Sequence, residues 1–165
     1  MDETKLHPLV EEAVTQYDIA HQVLPCLPEL ADTAAFCEHY GFSLDQSANT
    51  ILVASRKVEP TRYAVCVVLG VTRLDVNQKV CELLDVKRAS FADGDATVER
   101  TGMMIGGVTA IGVVDIPIYV DSAVMQRREV VMGGGNRTSK LLINPQELLK
   151  LPHIIVVDNL AKSRE

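Results

Sequence analysis

Two glycine clusters carry most of the chemistry that this sequence offers. Gly102, Gly106, Gly107 and Gly112 punctuate an apolar stretch, and Gly133, Gly134 and Gly135 end the strand expected at 129–132. Glycine takes positive φ without steric cost and lets backbone amides come close to a ligand. Successive amides in such turns form concave nests that hold anions or polarise a carbonyl. The same residues also serve as bulges and sharp bends in a curved sheet, and both readings stand at this point. Side-chain chemistry is sparse. The sequence has no GxSxG, HExxH, GxxxxGKS/T or GxGxxG pattern, and His7, His21, His39 and His153 have no metal-ligand spacing. Cys37-Glu38-His39 is the nearest approach to a cluster, but adjacent residues of a helix point in different directions. Cys26, Cys37, Cys66 and Cys81 form no CxxC pair and read as reduced, buried thiols. No metal site is expected. Asn136-Arg137-Thr138 fits a glycosylation sequon, which a chain lacking an export signal would not use.

These residues need a scaffold, and the hydrophobic pattern supplies one. An amphipathic helix is expected over 8–17, with Leu6, Val10, Ala13 and Val14 on one face. A short extended piece at 19–24 follows. A helix capped by Asp32-Thr33 then runs to Gly41. Segments 50–55 and 63–69 are β-branched and apolar on both faces, which predicts neighbouring strands in the middle of a sheet. A helix from Asp75, a brief strand or bend at 87–91, and a helix at 95–100 ending at Gly102 complete the first part. Strands are expected at 116–120, 129–132 and 140–143, then a capped helix at 145–151 and a last strand at 154–157. Helices and strands mix without a regular βαβ rhythm, so the expected fold is an α+β single domain over 1–165, a curved mixed sheet flanked by helices.

Charge and composition narrow the function classes. Hydrophobic residues are 47% and charged residues 23%, an ordinary globular balance. No apolar run is long enough to span a bilayer and none follows the first residues, so a cytoplasmic protein without a membrane partner is expected. The net charge of −6 argues against a general DNA or RNA coat. Residues 1–45 hold nine acids against Lys5 alone, whereas the remainder holds fifteen bases against thirteen acids. A polyanion could meet the second part while the first faces away; a solvated acidic face that only aids solubility explains the same numbers.

A series of landmarks then appears in order along the chain. These are Asp32-Thr33-Ala34-Ala35, Asn49-Thr50-Ile51-Leu52-Val53, Arg73-Leu74-Asp75-Val76, Thr101-Gly102, the stretch from Gly106-Gly107-Val108 to Gly112, Val120-Asp121, and Gly133-Gly134-Gly135-Asn136-Arg137. Together they resemble the YbaK/prolyl-tRNA synthetase-associated domain family over roughly residues 20–157. The resemblance implies an editing deacylase that hydrolyses the ester joining a wrong, small amino acid to the 3′ end of tRNA. It acts free-standing and without metal or organic cofactor, with an aminoacyl-tRNA synthetase as a second partner. It places Gly106 and Asn49 at the catalytic centre. Thr50, Gly107, Val108, Asp121, Gly133, Gly134, Arg137 and Lys140 are implied around the substrate. Arg127, Arg128, Arg137 and Lys140 could line the tRNA approach, and a scattered solvated face explains them equally. The sequence departs from the family pattern at three places: Asn49 stands at the family's lysine, Ala110 at the proline of its GxxxP element, and Lys140 at a carboxylate that some members carry. Asparagine orients polar groups but cannot pair with a phosphate. The alternative is therefore a catalytically silent module that binds the tRNA end or a small molecule.

Overall fold

A computed structural model describes residues 4–163 of the chain. Helix α1 (Pro8–Gln16) starts where expected, because Pro8 sits at its first position and the His7 imidazole Nδ1 accepts the Leu9 N–H at 3.1 Å. It buries Val10, Ala13 and Val14. Full burial of a valine side chain contributes about 1.5–3 kcal/mol, so two valines dock this helix firmly. Strand β1 (Gln22–Pro25) is shorter than the expected 19–24 and is displaced towards Pro25. Helix α2 (Thr33–Tyr40) ends at Gly41, whose φ of 81° closes the helix in the left-handed conformation. Its Asp32 makes no capping hydrogen bond, contrary to expectation, and the carboxylate instead lies 3.9 Å from Arg137.

Strands β2 (Ala48–Ser55) and β3 (Tyr63–Leu69) pair antiparallel in the middle of a five-stranded mixed sheet. β4 (Thr72–Leu74) leads into a π-helical turn (Val76–Val80) and α3 (Cys81–Leu84), where a plain helix was expected from Asp75. β5 (Ala89–Phe91) pairs with β2 as an edge strand, and α4 (Gly94–Thr101) ends at Gly102 with φ 72°. β6 (Ile118–Asp121) runs parallel to β3, and a short α5 (Ser122–Met125) follows it. β7 (Val130–Gly133) and β8 (Ser139–Ile143) form a hairpin, and β1 adds to β8 to make a three-stranded antiparallel sheet. A 3₁₀ helix (Pro145–Lys150) precedes β9 (Ile154–Val157), parallel to β6 at the other edge of the large sheet.

β9 is not the last strand, as the sequence suggested: β10 (Ala161–Ser163) pairs with β4. The mixed sheet is thus joined by two smaller ones, and a single bridge from Ser47 to Val131 links it to the three-stranded sheet. Both faces of the central strands are covered. Leu52, Val65 and Val67 face one core with α1, while Val53, Cys66 and Val68 face a second beneath α3. That explains the unbroken apolar runs in β2 and β3. All four cysteines are buried and free of disulfides. Among the described residues, no helix is long and apolar enough to cross a membrane.

Candidate active site

A cavity of about 340 Å³ opens between β2, the β7–β8 hairpin, the start of α2 and the loop between Gly102 and Gly112. β2 contributes Asn49 and Thr50, the loop contributes Gly106 and Val108, and the hairpin contributes Gly133 and Lys140. Asn49 is held by the Thr33 hydroxyl, which donates to its Oδ1 at 2.7 Å; among the described residues its Nδ2 makes no hydrogen bond. The Thr50 hydroxyl is buried and, among the described residues, unpartnered. A buried hydroxyl without a partner costs on the order of 1–3 kcal/mol, so this atom is a natural contact for a ligand.

The two glycine clusters meet behind the cavity. The Met104 N–H donates to the Gly135 carbonyl at 2.9 Å, and the Gly135 N–H donates to the Gly107 carbonyl at 2.7 Å. A side chain on Gly107 would strike the Asn136 carbonyl, and one on Gly133 would strike the carbonyls of Gly107 and Val108. Backbone here lies directly on backbone, and only glycine fits. Gly106 differs. It has φ +92° and lines the cavity, and its N–H makes no hydrogen bond among the described residues.

Two cations fix this peptide. Lys140 is 6% exposed, and its Nζ donates to the Gly106 carbonyl at 2.9 Å and to the Ala31 carbonyl at 2.6 Å, above the Phe36 ring. Burial holds its ammonium below the usual lysine range, Arg137 adds to the lowering, and the sulfur of Cys26 and the carboxylate of Asp32 oppose it. Arg137 clamps the other side: Nε and Nη2 donate to the Pro28 carbonyl at 3.1 and 2.7 Å, and Nη1 donates to the Ile105 carbonyl at 2.9 Å. Among the described residues, Asp32 and Lys140 are the titratable side chains that line the cavity. The arrangement offers a polar amide, a hydroxyl and a backbone donor, while Lys140 is engaged with two carbonyls. Among the described residues, no group of three or more His, Cys, Asp or Glu could hold a metal ion.

Of the residues expected at the site, Asn49, Thr50, Gly106, Val108, Gly133 and Lys140 line the cavity, and Gly107 and Gly134 lie outside its lining. Arg137 turns its guanidinium onto protein carbonyls instead of into the cavity. Asp121 lies elsewhere. It ends β6 outside the cavity, 2% exposed, with the backbone N–H groups of Leu160, Ala123 and Ser122 about its carboxylate, and burial raises its pKa. Arg127 is tied to Asp45 at 2.6 Å and does not stand free for a ligand. Sequence reasoning missed Phe36, Phe91 and Ile105, which also line the cavity. Their apolar types carry no signal that separates a pocket wall from a core.

Residues 28–151 match the aminoacyl-tRNA editing domain family. Among solved structures, hypothetical protein APE2540 superposes with a TM-score of 0.82 at 24% identity, covering 93% of this chain and 99% of that one. A candidate trans-editing enzyme for prolyl tRNA synthetase superposes with a TM-score of 0.78 at 23% identity, covering 97% of this chain and 100% of that one. A candidate signal transduction protein from Marinobacter aquaeolei VT8 gives a TM-score of 0.65 at 14% identity; the match covers 96% of this chain and only 31% of that one. At these identities the superpositions establish a shared fold. With the family match spanning most of its length, the chain belongs to the aminoacyl-tRNA editing domain family, of the YbaK type.

Proposed function

We propose that the chain is a free-standing deacylase that hydrolyses the ester between a small amino acid and the 3′ end of a mischarged tRNA. The observation that carries this reading is Gly106, which lines the cavity with its carbonyl held by Lys140 and with an N–H that makes no hydrogen bond among the described residues. An aminoacyl ester is already activated, so positioning and a fixed donor supply much of what its hydrolysis needs. Water adds to the ester carbonyl carbon while the Gly106 N–H donates to the oxygen on which charge develops. The bond to the ribose oxygen then breaks, and that oxygen takes the proton from the water. Asn49 orients the terminal ribose through its free Nδ2, and Thr50 contacts the acyl group. A volume of about 340 Å³ is at the low end for ligand sites, which supports a small side chain. The synthetase that mischarges the tRNA is the upstream partner.

A second reading, a binding module without turnover, draws on Asn49: no positive charge stands at that position, and Lys140 is committed to two carbonyls. A deacylation time course against correctly and incorrectly charged tRNAs separates the two. Ester release from one mischarged species, slowed at least about tenfold by Asn49→Ala, is the expected result, since one lost polar contact of about 1.4 kcal/mol is a tenfold change in rate. No release from any charged tRNA, with tRNA still bound, would leave the binding module.

A further inference from the structure

Four basic side chains stand together at one edge of the large sheet. Arg56 and Lys57 follow β2, Lys87 and Arg88 precede β5, and the Arg56 N–H donates to the Arg88 carbonyl at 2.8 Å, which fixes the two segments side by side. All four are exposed, and none forms a salt bridge among the described residues. In a chain of net charge −6 this concentration is not an average property of the surface. The acids nearby, Glu82 and Asp85, border the patch on the far side of Lys87, and Glu59 lies in the loop after Lys57. Three residues along β5 from Arg88, at the cavity mouth, is Phe91, 58% exposed. Phe36 is buried in the wall, whereas Phe91 is open to solvent. The basic patch and this ring are therefore joined by one short strand, roughly 10 Å long at about 3.3 Å per residue.

We propose that β5 is the track along which the acceptor strand of tRNA reaches the cavity, with backbone phosphates on Arg56, Lys57, Lys87 and Arg88 and the terminal base stacked on Phe91. The inference rests on the reading above, which puts the esterified ribose in the cavity. A ribose held there leaves its base at the mouth, where Phe91 is, and leaves the preceding phosphates outside it, where the four cations are, one of which, Arg56, also donates to the Ser90 hydroxyl at 3.2 Å. Phosphate contacts position a strand without reading its sequence, and an aromatic face accepts any base.

The test is binding of deacylated tRNA as a function of salt, which needs no catalysis. In the combined variant Arg56→Gln, Lys57→Asn, Lys87→Gln and Arg88→Gln, log K falls less steeply with log salt, by up to about 2.8 for four contacts at roughly 0.7 each. Phe91→Ala weakens binding about tenfold or more and leaves the salt slope unchanged, because stacking releases no counterions. All five positions are exposed, and unchanged thermal melts verify that the variants fold. A slope equal to wild type in the combined variant, or no tRNA binding by the wild-type protein, overturns the track. Unaltered affinity in Phe91→Ala removes the terminal base from it. If tRNA binds as expected but no charged tRNA is hydrolysed, the track stands and the deacylase reading falls.

Discussion

Gly106→Ala couples to Arg137 in a way that a double-mutant cycle can measure. The added Cβ meets the Arg137 guanidinium, and residue 106 must also keep φ at +92°. Holding a non-glycine residue in that region costs about 1–2 kcal/mol. Displacing the guanidinium breaks its three hydrogen bonds to Pro28 and Ile105. The guanidinium is partly exposed, so water compensates part of the loss and each bond contributes about 0.5–1 kcal/mol. Gly106→Ala should therefore destabilise the protein by about 3–5 kcal/mol, and Arg137→Ala, which loses the bonds but not the φ preference, by about 2–3 kcal/mol. With Arg137 already removed the clash is gone, and adding Gly106→Ala costs only the backbone strain. The double variant should be about 2 kcal/mol more stable than the sum of the single changes predicts. Urea denaturation of the four proteins gives the numbers, provided that the slopes agree. Additivity within about 0.5 kcal/mol would refute the clamp, because residues without shared partners add to that precision.

Three further outcomes follow from the buried polar groups. Thr50 and Thr109 both bury an unpartnered hydroxyl, but only Thr50 lines the cavity. Thr50→Val and Thr109→Val should each stabilise the protein by about 1 kcal/mol, and only Thr50→Val should slow deacylation; equal effects on turnover would detach Thr50 from the substrate. Burial holds the folded-state pKa of Lys140 below 10.5, so between that lowered value and 10.5 the unfolded chain binds the extra proton. Wild type should accordingly gain stability relative to Lys140→Met as pH rises through this window, and a pH-independent difference in urea midpoints would contradict it. Cys66 moves the other way. Burial pushes its thiol from 9.0 up to about 12, so its contribution to stability is present below pH 9.0 and is lost as pH rises towards 12. In the native protein Cys66 should resist alkylation at pH 9.0, as read by mass spectrometry of its peptide; prompt labelling without unfolding would show an accessible thiolate.

What could be read from the sequence depended on how local its cause was. The boundaries at Gly41 and Gly102 were legible because each glycine sits in the left-handed conformation that ends a helix, with φ of 81° and 72°. β2 and β3 were legible because burial on both faces leaves no polar alternation. β4 and β10 were not: three residues of ordinary composition become strands only by pairing with residues far along the chain, Leu74 with Ala161 and Thr72 with Ser163, and no short window holds that information. Asp32-Thr33 looked like a cap, yet Arg137 and Asn49, both distant in sequence, draw the two side chains away. The cations show the same limit most clearly. Arg127, Arg137 and Lys140 stood out as bases in the right part of the chain, but one pairs with Asp45 and two hold backbone carbonyls. A count of charges cannot tell which are already committed; that depends on partners brought together by the fold.

The glycines were left between two readings, anion-binding nest or sharp bend, and the contacts divide those roles among residues. Gly107 and Gly133 are mutually required, since a side chain on either runs into the backbone that the other cluster brings against it. Their absence of side chains serves packing: it lets the loop and the hairpin turn close onto each other through the bonds between Met104, Gly135 and Gly107. That closure has a consequence one residue earlier. With the loop pinned at 104 and 107, its carbonyls at 105 and 106 turn towards Arg137 and Lys140, and the N–H of Gly106, a residue of the cavity lining, makes no hydrogen bond among the described residues. A donor left over in this way is oriented by its neighbours before any ligand arrives, which is the condition under which a single hydrogen bond acts most strongly on developing charge. Bending and donating are thus successive results of one backbone path. Substitution at Gly107, whose side chain would strike the Asn136 backbone, should therefore displace the Gly106 N–H and slow deacylation; unchanged turnover in Gly107→Ala would separate the packing from the donor.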